Sequence, residues 1–339
     1  MLRTIKRIIL CALLAALTLF TIELGCRFLE PGPLQLRDQF PYIEDGQLGQ
    51  AHKPNSDISW RGSHFGINAD GFRGPELKPN STPKLYRVLC IGDSLTFGTG
   101  IEEADSWPRQ LEALLQEQLG EHAVEVINLG VSGWNSTQYR AAWQRFGPAL
   151  VPDVVILGYS LNDLPGTSDA LGALSFPEPP MVEGRLTRLK PAALLRHFHS
   201  EGAHRDREER WDELQAEVSD ALKPWRLNAS ASTRAELEPF IQEIRSSGAT
   251  PMLLSFPYEF QLRSPAANRA PEGTLKMCCS GLDVPFLSMA PAFYSYILKE
   301  SPGRAALYQR GTLCQPTKKG HEMIAESVIK ILELEDLLP

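Results

Sequence analysis

The chain has 339 residues, 43% of them apolar and 22% charged, with a formal net charge of −7. That length allows one or two domains with an ample core, and the acidic balance argues against nucleic acid as the main partner. There is no P-loop, no G-x-G-x-x-G and no pair of C-x-x-C motifs, so a nucleotide cofactor and a structural zinc both lack sequence support.

The N-terminus is distinct. Arg3, Lys6 and Arg7 precede the apolar run Ile8–Ile22, an arrangement like that of a secretory signal. The run falls short of the ~20 residues that span a bilayer. Leu24–Cys26 and Phe28–Leu29 extend it past Glu23, and no A-x-A-like cleavage site follows. We read residues 1–30 as an uncleaved signal-anchor, a transmembrane segment with its basic end in the cytoplasm. The main domain then lies on the periplasmic or extracellular side. Leu24-Gly25-Cys26 leaves open lipidation at Cys26, and a buried amphipathic helix is the third possibility. Residues 31–83 are rich in Pro, Gly and polar residues. They include F-G-I-N-A-D-G-F-R-G from Phe65 to Gly74, with turn signals at Asn68, Asp70 and Gly71. This reads as an irregular linker whose aromatic residues dock on the main domain.

A repeating pattern begins at residue 84. Leu85–Ile91 is a strand, and its end Val88–Ile91 is apolar without alternation, as a fully buried strand requires. It stops at Gly92, where a side chain would clash with a sharp turn, and delivers Asp93 and Ser94. Ser94 sits just past the carboxyl end of a strand, where open α/β sheets bind ligands. It is a candidate nucleophile that needs an oxyanion hole and usually a base. Standing alone, G-D-S-L is also an ordinary turn. A helix follows, capped by Asp105 or Ser106, with Pro108 in its first turn and Leu111, Leu114, Leu115 and Leu119 as its core stripe. Gly120 ends it. Val124–Ile127 is the second strand and leads into N-L-G-V-S-G-W-N from Asn128 to Asn135. A helix over Ser136–Phe146 is stopped by Gly147-Pro148. Val154–Leu157 is the third strand and opens into G-Y-S-L-N-D from Gly158 to Asp163.

An inserted segment at about 164–230 breaks the pattern. It starts Pro-rich and becomes dense in charge, with R-D-R-E-E-R from Arg205 to Arg210. It reads either as a solvated helix with charges paired at helical spacing or as a lid. Thr233–Ser246 is then helical, Thr250–Phe256 and Val284–Leu287 are strands, and Lys318–Leu334 is the final helix, with Met323, Ile324, Val328, Ile331 and Leu332 facing the core. Strands alternating with helices predict a parallel sheet covered on both faces. Cys11 and Cys26 belong to the anchor and Cys90 to a buried strand. In an oxidising compartment one of the vicinal pair Cys278 and Cys279 would be able to bridge to Cys314, a pairing that sequence leaves open.

Three strand ends thus carry polar or glycine-rich turns, and a parallel sheet brings them to one edge. The backbone N–H of Ser94, that of Gly133 and the amide of Asn162 would together hold a developing oxyanion. These blocks resemble the SGNH hydrolases, or GDSL esterases, over about Leu85 to Leu334: Gly92-Asp93-Ser94-Leu95, Asn128–Gly133 and Gly158–Asp163. The resemblance implies a flavodoxin-like three-layer α/β/α sandwich in residues 84–339. It also implies Ser94 as nucleophile, Gly133 and Asn162 in the oxyanion hole, and hydrolysis of carboxylic esters or transfer of O-acyl groups, with no cofactor and no metal.

The last block departs from the family. Where relatives carry Asp, a short turn, and His followed by Pro, this chain has G-T-L-C-Q-P-T-K-K-G-H from Gly311 to His321. Gln315 stands in the place of the histidine and Thr312 in that of the acid. Glutamine has no useful basicity. His321 is a weak substitute base, since six helical residues separate it from Gln315 by up to ~9 Å. His197, His199 and His204 in the insert have no spacing that argues for a site. Two functions follow as expectations. The first is a membrane-anchored esterase or acyl transferase acting on small-molecule, glycan or lipid esters of the cell envelope. The second is a binding or assembly protein on the same fold with turnover lost. A soluble cytosolic hydrolase is a weaker third, and the oligomeric state has no sequence signal.

Overall fold

The structure is a computed structural model. It describes residues 14, 18, 21, 42–60, 63–82, 85–120, 123–163, 225–262, 270–300, 306–309, 312 and 314–339. The chain divides into two units, residues 1–39 with 177–211 and residues 40–176 with 212–339. In the first, Leu14, Thr18 and Thr21 are helical; Thr18 Oγ1 donates to the Leu14 carbonyl at 2.8 Å, and Thr21 Oγ1 to that of Thr18 at 2.8 Å. Apart from Leu14, Thr18 and Thr21, residues 1–30 of the signal-anchor reading lie outside the described residues, as do 164–224 of the insert read at about 164–230, with its three histidines. Among the described residues no helix is long and apolar enough to cross a membrane.

The second unit is built on five parallel strands: β5 (Tyr86–Gly92), β6 (Val124–Gly130), β7 (Val154–Tyr159), β8 (Thr250–Ser255) and β9 (Phe286–Ser288). Their order across the sheet is β6-β5-β7-β8-β9, the 2-1-3-4-5 arrangement of flavodoxin-like folds. Alternation along each strand sorts the side chains into two cores. Leu89, Ile91, Ile127, Leu129, Val155, Leu157 and Leu253 face one side. They are covered by α3 (Ser136–Leu150), α4 (Trp225–Ser246) and α5 (Ala270–Leu282). Val88, Cys90, Val126, Ile156, Met252 and Leu254 face the other, beneath α2 (Trp107–Leu119), α6 (Ala290–Glu300) and α7 (Lys318–Leu334). Three layers result, as the alternation of elements predicts.

A short helix, α1 (Ser94–Phe97), leaves β5 at the carboxyl edge. Gly92 is in register with Gly130 on one side and Gly158 on the other, and all three lack side chains for one reason. A Cβ on Gly92 or Gly158 would lie 2.1 or 2.3 Å from Thr96 Oγ1, and one on Gly130 would lie 2.3 Å from the Phe97 nitrogen. The glycine row therefore lets α1 sit directly on the strand ends. Gly130→Ala meets backbone that no rotamer change can move. It is expected to destabilise the fold by about 3 kcal/mol or more, read as a lowered urea midpoint.

Several elements differ from the sequence reading. The stretch read as irregular carries two antiparallel hairpins, β1 (Tyr42–Asp45) with β2 (Gly49–His52) and β3 (Ser56–Trp60) with β4 (Ser63–Ile67). In the first turn Asp45 Oδ1 accepts the N–H groups of Gln47 and Leu48, each at 2.9 Å, an Asx-type turn. Helix α3 runs through Gly147-Pro148 to Leu150. Gly147 is needed there because a Cβ would meet the Trp143 ring at 2.1 Å, and Pro148 costs the helix a single N–H donor. Helix α4 begins at Trp225, well before Thr233, and α5 and α6 were not placed at all. The disulfide does not form: Cys90, Cys278, Cys279 and Cys314 are all outside disulfides. Cys278 and Cys279 belong to the core on one face of the sheet, whereas Cys314 packs with the core on the other.

Candidate active site

Ser94 is half-buried at the first turn of α1. Asp93 caps this helix, its Oδ1 accepting the Leu95 N–H at 2.8 Å. Gly98 closes the other end at φ 87°, donating its N–H to the Ser94 carbonyl at 2.9 Å; that left-handed conformation is what glycine tolerates. The carbonyls beyond are met by Arg73. Its Nη1 donates to Phe97 O at 2.6 Å and Gly98 O at 2.7 Å, and its Nη2 donates to Ile101 O. The guanidinium also lies 4.6 and 4.7 Å from the Phe65 and Phe97 ring centroids. A cation at a helix C-terminus satisfies open carbonyls and the local dipole together. Burial lowers the Arg73 pKa to about 10, so it remains charged at neutral pH.

Beside Ser94 the replaced block is in place. Gln315, buried, donates from Nε2 to Ser94 Oγ at 2.7 Å. Its own N–H donates to Thr312 Oγ1 at 3.2 Å. Gln315, which the sequence sets in place of the family's histidine, is thus in contact with Ser94, and Thr312 contacts the backbone of residue 315. An amide N–H donating to Oγ is the reverse of what a general base does, which is to accept the hydroxyl proton. Gln315 Oε1 is buried without a hydrogen-bond partner among the described residues.

Below the site lies a buried acidic pair. The Ser160 hydroxyl stands 3.1 Å from Asp93 Oδ2 and 3.0 Å from Asp163 Oδ2. Asp163 also accepts the Ser160 N–H and the Tyr139 hydroxyl, each at 2.6 Å. Burial, and then the neighbouring Asp93 charge, push the Asp163 carboxyl well above the usual carboxylate range.

The turn after β6 carries Gly133, at φ 81°. It is tied to the end of β5 by the Val131 N–H on the Gly92 carbonyl, 3.0 Å, and to the loop after α1 by Ser132 Oγ against Thr99 Oγ1, 3.1 Å. Asn162 lies in the 3-10 turn Leu161–Asp163 that follows β7; its side chain is outside the described atoms. His321 faces elsewhere. It is fully buried, and its Nδ1 accepts the Trp107 N–H at 3.1 Å. The ring proton is then on Nε2, which leaves no lone pair for a serine hydroxyl. Burial, and then Arg73, lower its pKa to about 3. The base reading of His321 is therefore corrected: the ring caps the start of α2. Sequence reasoning missed the role of Arg73 and the contact of Asp93 and Asp163 through Ser160. The only trace of Arg73 was a cation inside a turn-rich stretch.

A family model described as the GDSL-like lipase/acylhydrolase family matches residues 90–323. The match covers more than half of the chain, and the chain belongs to this family of ester hydrolases. No curated protein matches it in sequence. Among solved structures it is similar to a catalytic mutant of Axe2, an acetylxylan esterase from Geobacillus stearothermophilus. That pair shares 16% identity at a TM-score of 0.47, over 73% of this chain and 94% of that one. It is also similar to the acetyl xylan esterase AlAXEase, with 12% identity, TM-score 0.47, and 72% and 98% coverage. A third is an α/β hydrolase enzyme from the metagenome of Lake Arreo, Spain, with 16% identity, TM-score 0.47, and 73% and 94% coverage.

Proposed function

We propose that this family member acts on carboxylic esters or O-acyl groups of envelope glycans or lipids, as an esterase or acyl transferase. Ser94 is the nucleophile, and the Gly133 N–H and the Asn162 amide receive the oxyanion. The reading is supported by one observation above all. Ser94 stands half-buried at the carboxyl edge of the central strand, with the Gly133 turn hydrogen-bonded to that same strand end. In the reaction, Ser94 Oγ bonds to the acyl carbon and its proton passes to solvent, the carbonyl oxygen takes the negative charge, and the ester C–O bond then breaks to give the acyl-serine, the leaving alcohol taking a proton from water. Hydrolysis or transfer to a second hydroxyl then frees the serine. With Gln315 at the base position the hydroxyl proton has no side-chain acceptor there, and turnover is slow. Serine proteases lacking a triad member still keep ~10³–10⁴ over water from binding and the oxyanion hole.

The Gln315–Ser94 hydrogen bond favours a second reading, a binding or assembly protein that keeps the pocket without turnover. Hydrolysis of p-nitrophenyl acetate by the parent and by Ser94→Ala separates the two. Slow turnover abolished by Ser94→Ala is the expected result. Turnover equal in both proteins would sink the nucleophile role. The anchor at residues 1–30, with the main domain outside the cytoplasm, belongs to the same proposal, and its support is the basic-then-apolar pattern of the first 22 residues. A reporter active only outside the cytoplasm, fused at the C-terminus, is expected to be active.

A further inference from the structure

The peptide that joins Ser132 to Gly133 has one end held from outside the family-matched residues. Gln50, on β2, donates from its side-chain Nε2 to the Ser132 carbonyl. Its backbone carbonyl accepts the indole N–H of Trp134 at 2.8 Å. A single residue therefore grips the turn on both sides of Gly133. Two residues further along β2, the His52 ring lies 4.8 Å from that of Phe97, tilted by 39°. The first hairpin thus touches both the helix that begins at Ser94 and the turn that carries Gly133.

The Ser132 carbonyl and the Gly133 N–H are two ends of one planar trans peptide, and they point in opposite directions. Fixing the carbonyl fixes the N–H. Such a hold is needed here because Gly133, at φ 81°, has no side chain to stop that peptide from rotating. The space there is also tight, since a Cβ would lie 3.2 Å from Gln50 Nε2. A hydrogen bond accepted by the carbonyl further polarises the peptide and strengthens its N–H as a donor. We infer that Gln50 is a positioning residue for the oxyanion hole: it holds the Ser132–Gly133 peptide so that the Gly133 N–H faces the acyl oxygen of an ester bound at Ser94. The inference rests on the reading of Gly133 as an oxyanion donor.

The test uses the full chain with Gln50→Glu, which keeps the shape but loses the N–H donor, and Gln50→Ala. The first readout is the ¹H–¹⁵N signal of Gly133, which needs no catalysis. A shifted or exchange-broadened Gly133 signal is expected in both variants, with thermal midpoints near that of the parent. An unmoved signal in both would overturn the inference. The second readout is the rate at which a fluorophosphonate labels Ser94. In that step an Oγ–P bond forms, the P–F bond breaks, fluoride leaves and the hydroxyl proton passes to solvent, while charge grows on the phosphoryl oxygen. Removing a whole oxyanion donor costs ~10²–10³ in rate, so misplacing one is expected to slow labelling about tenfold or more. A moved Gly133 signal with unchanged labelling would also overturn the inference. Ser94→Ala is the control for the underlying reading. If it labels as fast as the parent, the Ser94 assignment fails, whereas the Gly133 signal still decides whether Gln50 holds the peptide.

Discussion

Restoring the acid and base together, by Thr312→Asp with Gln315→His, is expected to raise Ser94-dependent hydrolysis of p-nitrophenyl acetate by about 10²–10⁴-fold, the usual contribution of a positioned general base. The geometry for this exists. Gln315 already reaches Ser94 Oγ at 2.7 Å, so the residue 315 backbone aims a side chain of that reach at the hydroxyl. The Thr312 side chain stands against residue 315, 3.2 Å from its backbone nitrogen. A carboxylate at 312 would accept the Nδ1–H of an imidazole at 315 and leave Nε2 as the base. Gln315→His alone is expected to gain less, because nothing then sets the tautomer; in serine proteases the wrong tautomer costs about 10⁴. Thr312→Asp alone places a carboxylate at a buried position without a partner and is expected to lower stability. Adding Ser94→Ala to the double variant should remove the gain. A folded double variant with no gain over the parent would mean that the pocket has lost more than its base.

The central sheet was legible because its signals are local. Val88–Ile91 is apolar without a break, and each of the three strands that carry the candidate site has a glycine at or next to its carboxyl end. The register of those glycines was not legible. Gly92, Gly130 and Gly158 read singly as turn residues, and only the paired strands reveal that they share one task, clearing room for Thr96 and Phe97. The hairpins were hidden by polar composition, although Asp45-Gly46 was a turn signal that alternation on either side would have strengthened. At the candidate site, chemistry was legible and contact was not. The amide of Gln315 cannot take a proton wherever it lies, so the missing base was read from the side-chain type. Its hydrogen bond to Ser94 spans most of the domain and has no local trace. Arg73 and Gln50 act over shorter separations, up to 28 and 84 residues, that are still far beyond any local pattern. Each reaches a loop of the nucleophile or oxyanion block from a segment that precedes β5, and a one-dimensional pattern holds no sign of such a pairing.

Acid is expected to loosen this support before it protonates most carboxylates. His52 and His321 flank α1, and both are buried neutral. His52 stacks on Tyr42, packs at a tilt against Phe97 and bonds to the Gly71 carbonyl through Nδ1 at 3.3 Å, whereas His321 accepts the Trp107 N–H. Desolvation lowers each pKa to about 3, and the Arg73 charge adds to it. The unfolded chain binds protons at these rings near pH 6.5, the folded chain only near pH 3. Stability is therefore full above the unfolded value and is lost as pH falls from 6.5 towards 3, at up to ~1.4 kcal/mol per pH unit per histidine. Asp163 works against this. Its raised pKa makes the folded state the tighter proton binder above pH 3.8, which favours folding as pH falls. Two histidines against one carboxyl leave a net loss. Asp45, lowered to about 2 by Arg145 and backbone N–H groups, adds its own loss below pH 3.8. Urea midpoints taken from pH 7 down to pH 4.5 are expected to fall steadily. His321→Asn, whose amide oxygen can still accept the Trp107 N–H, leaves His52 alone against Asp163 and should remove half or more of that slope. A flat midpoint across this range in the parent would show that the two rings are not held neutral by burial in the folded chain.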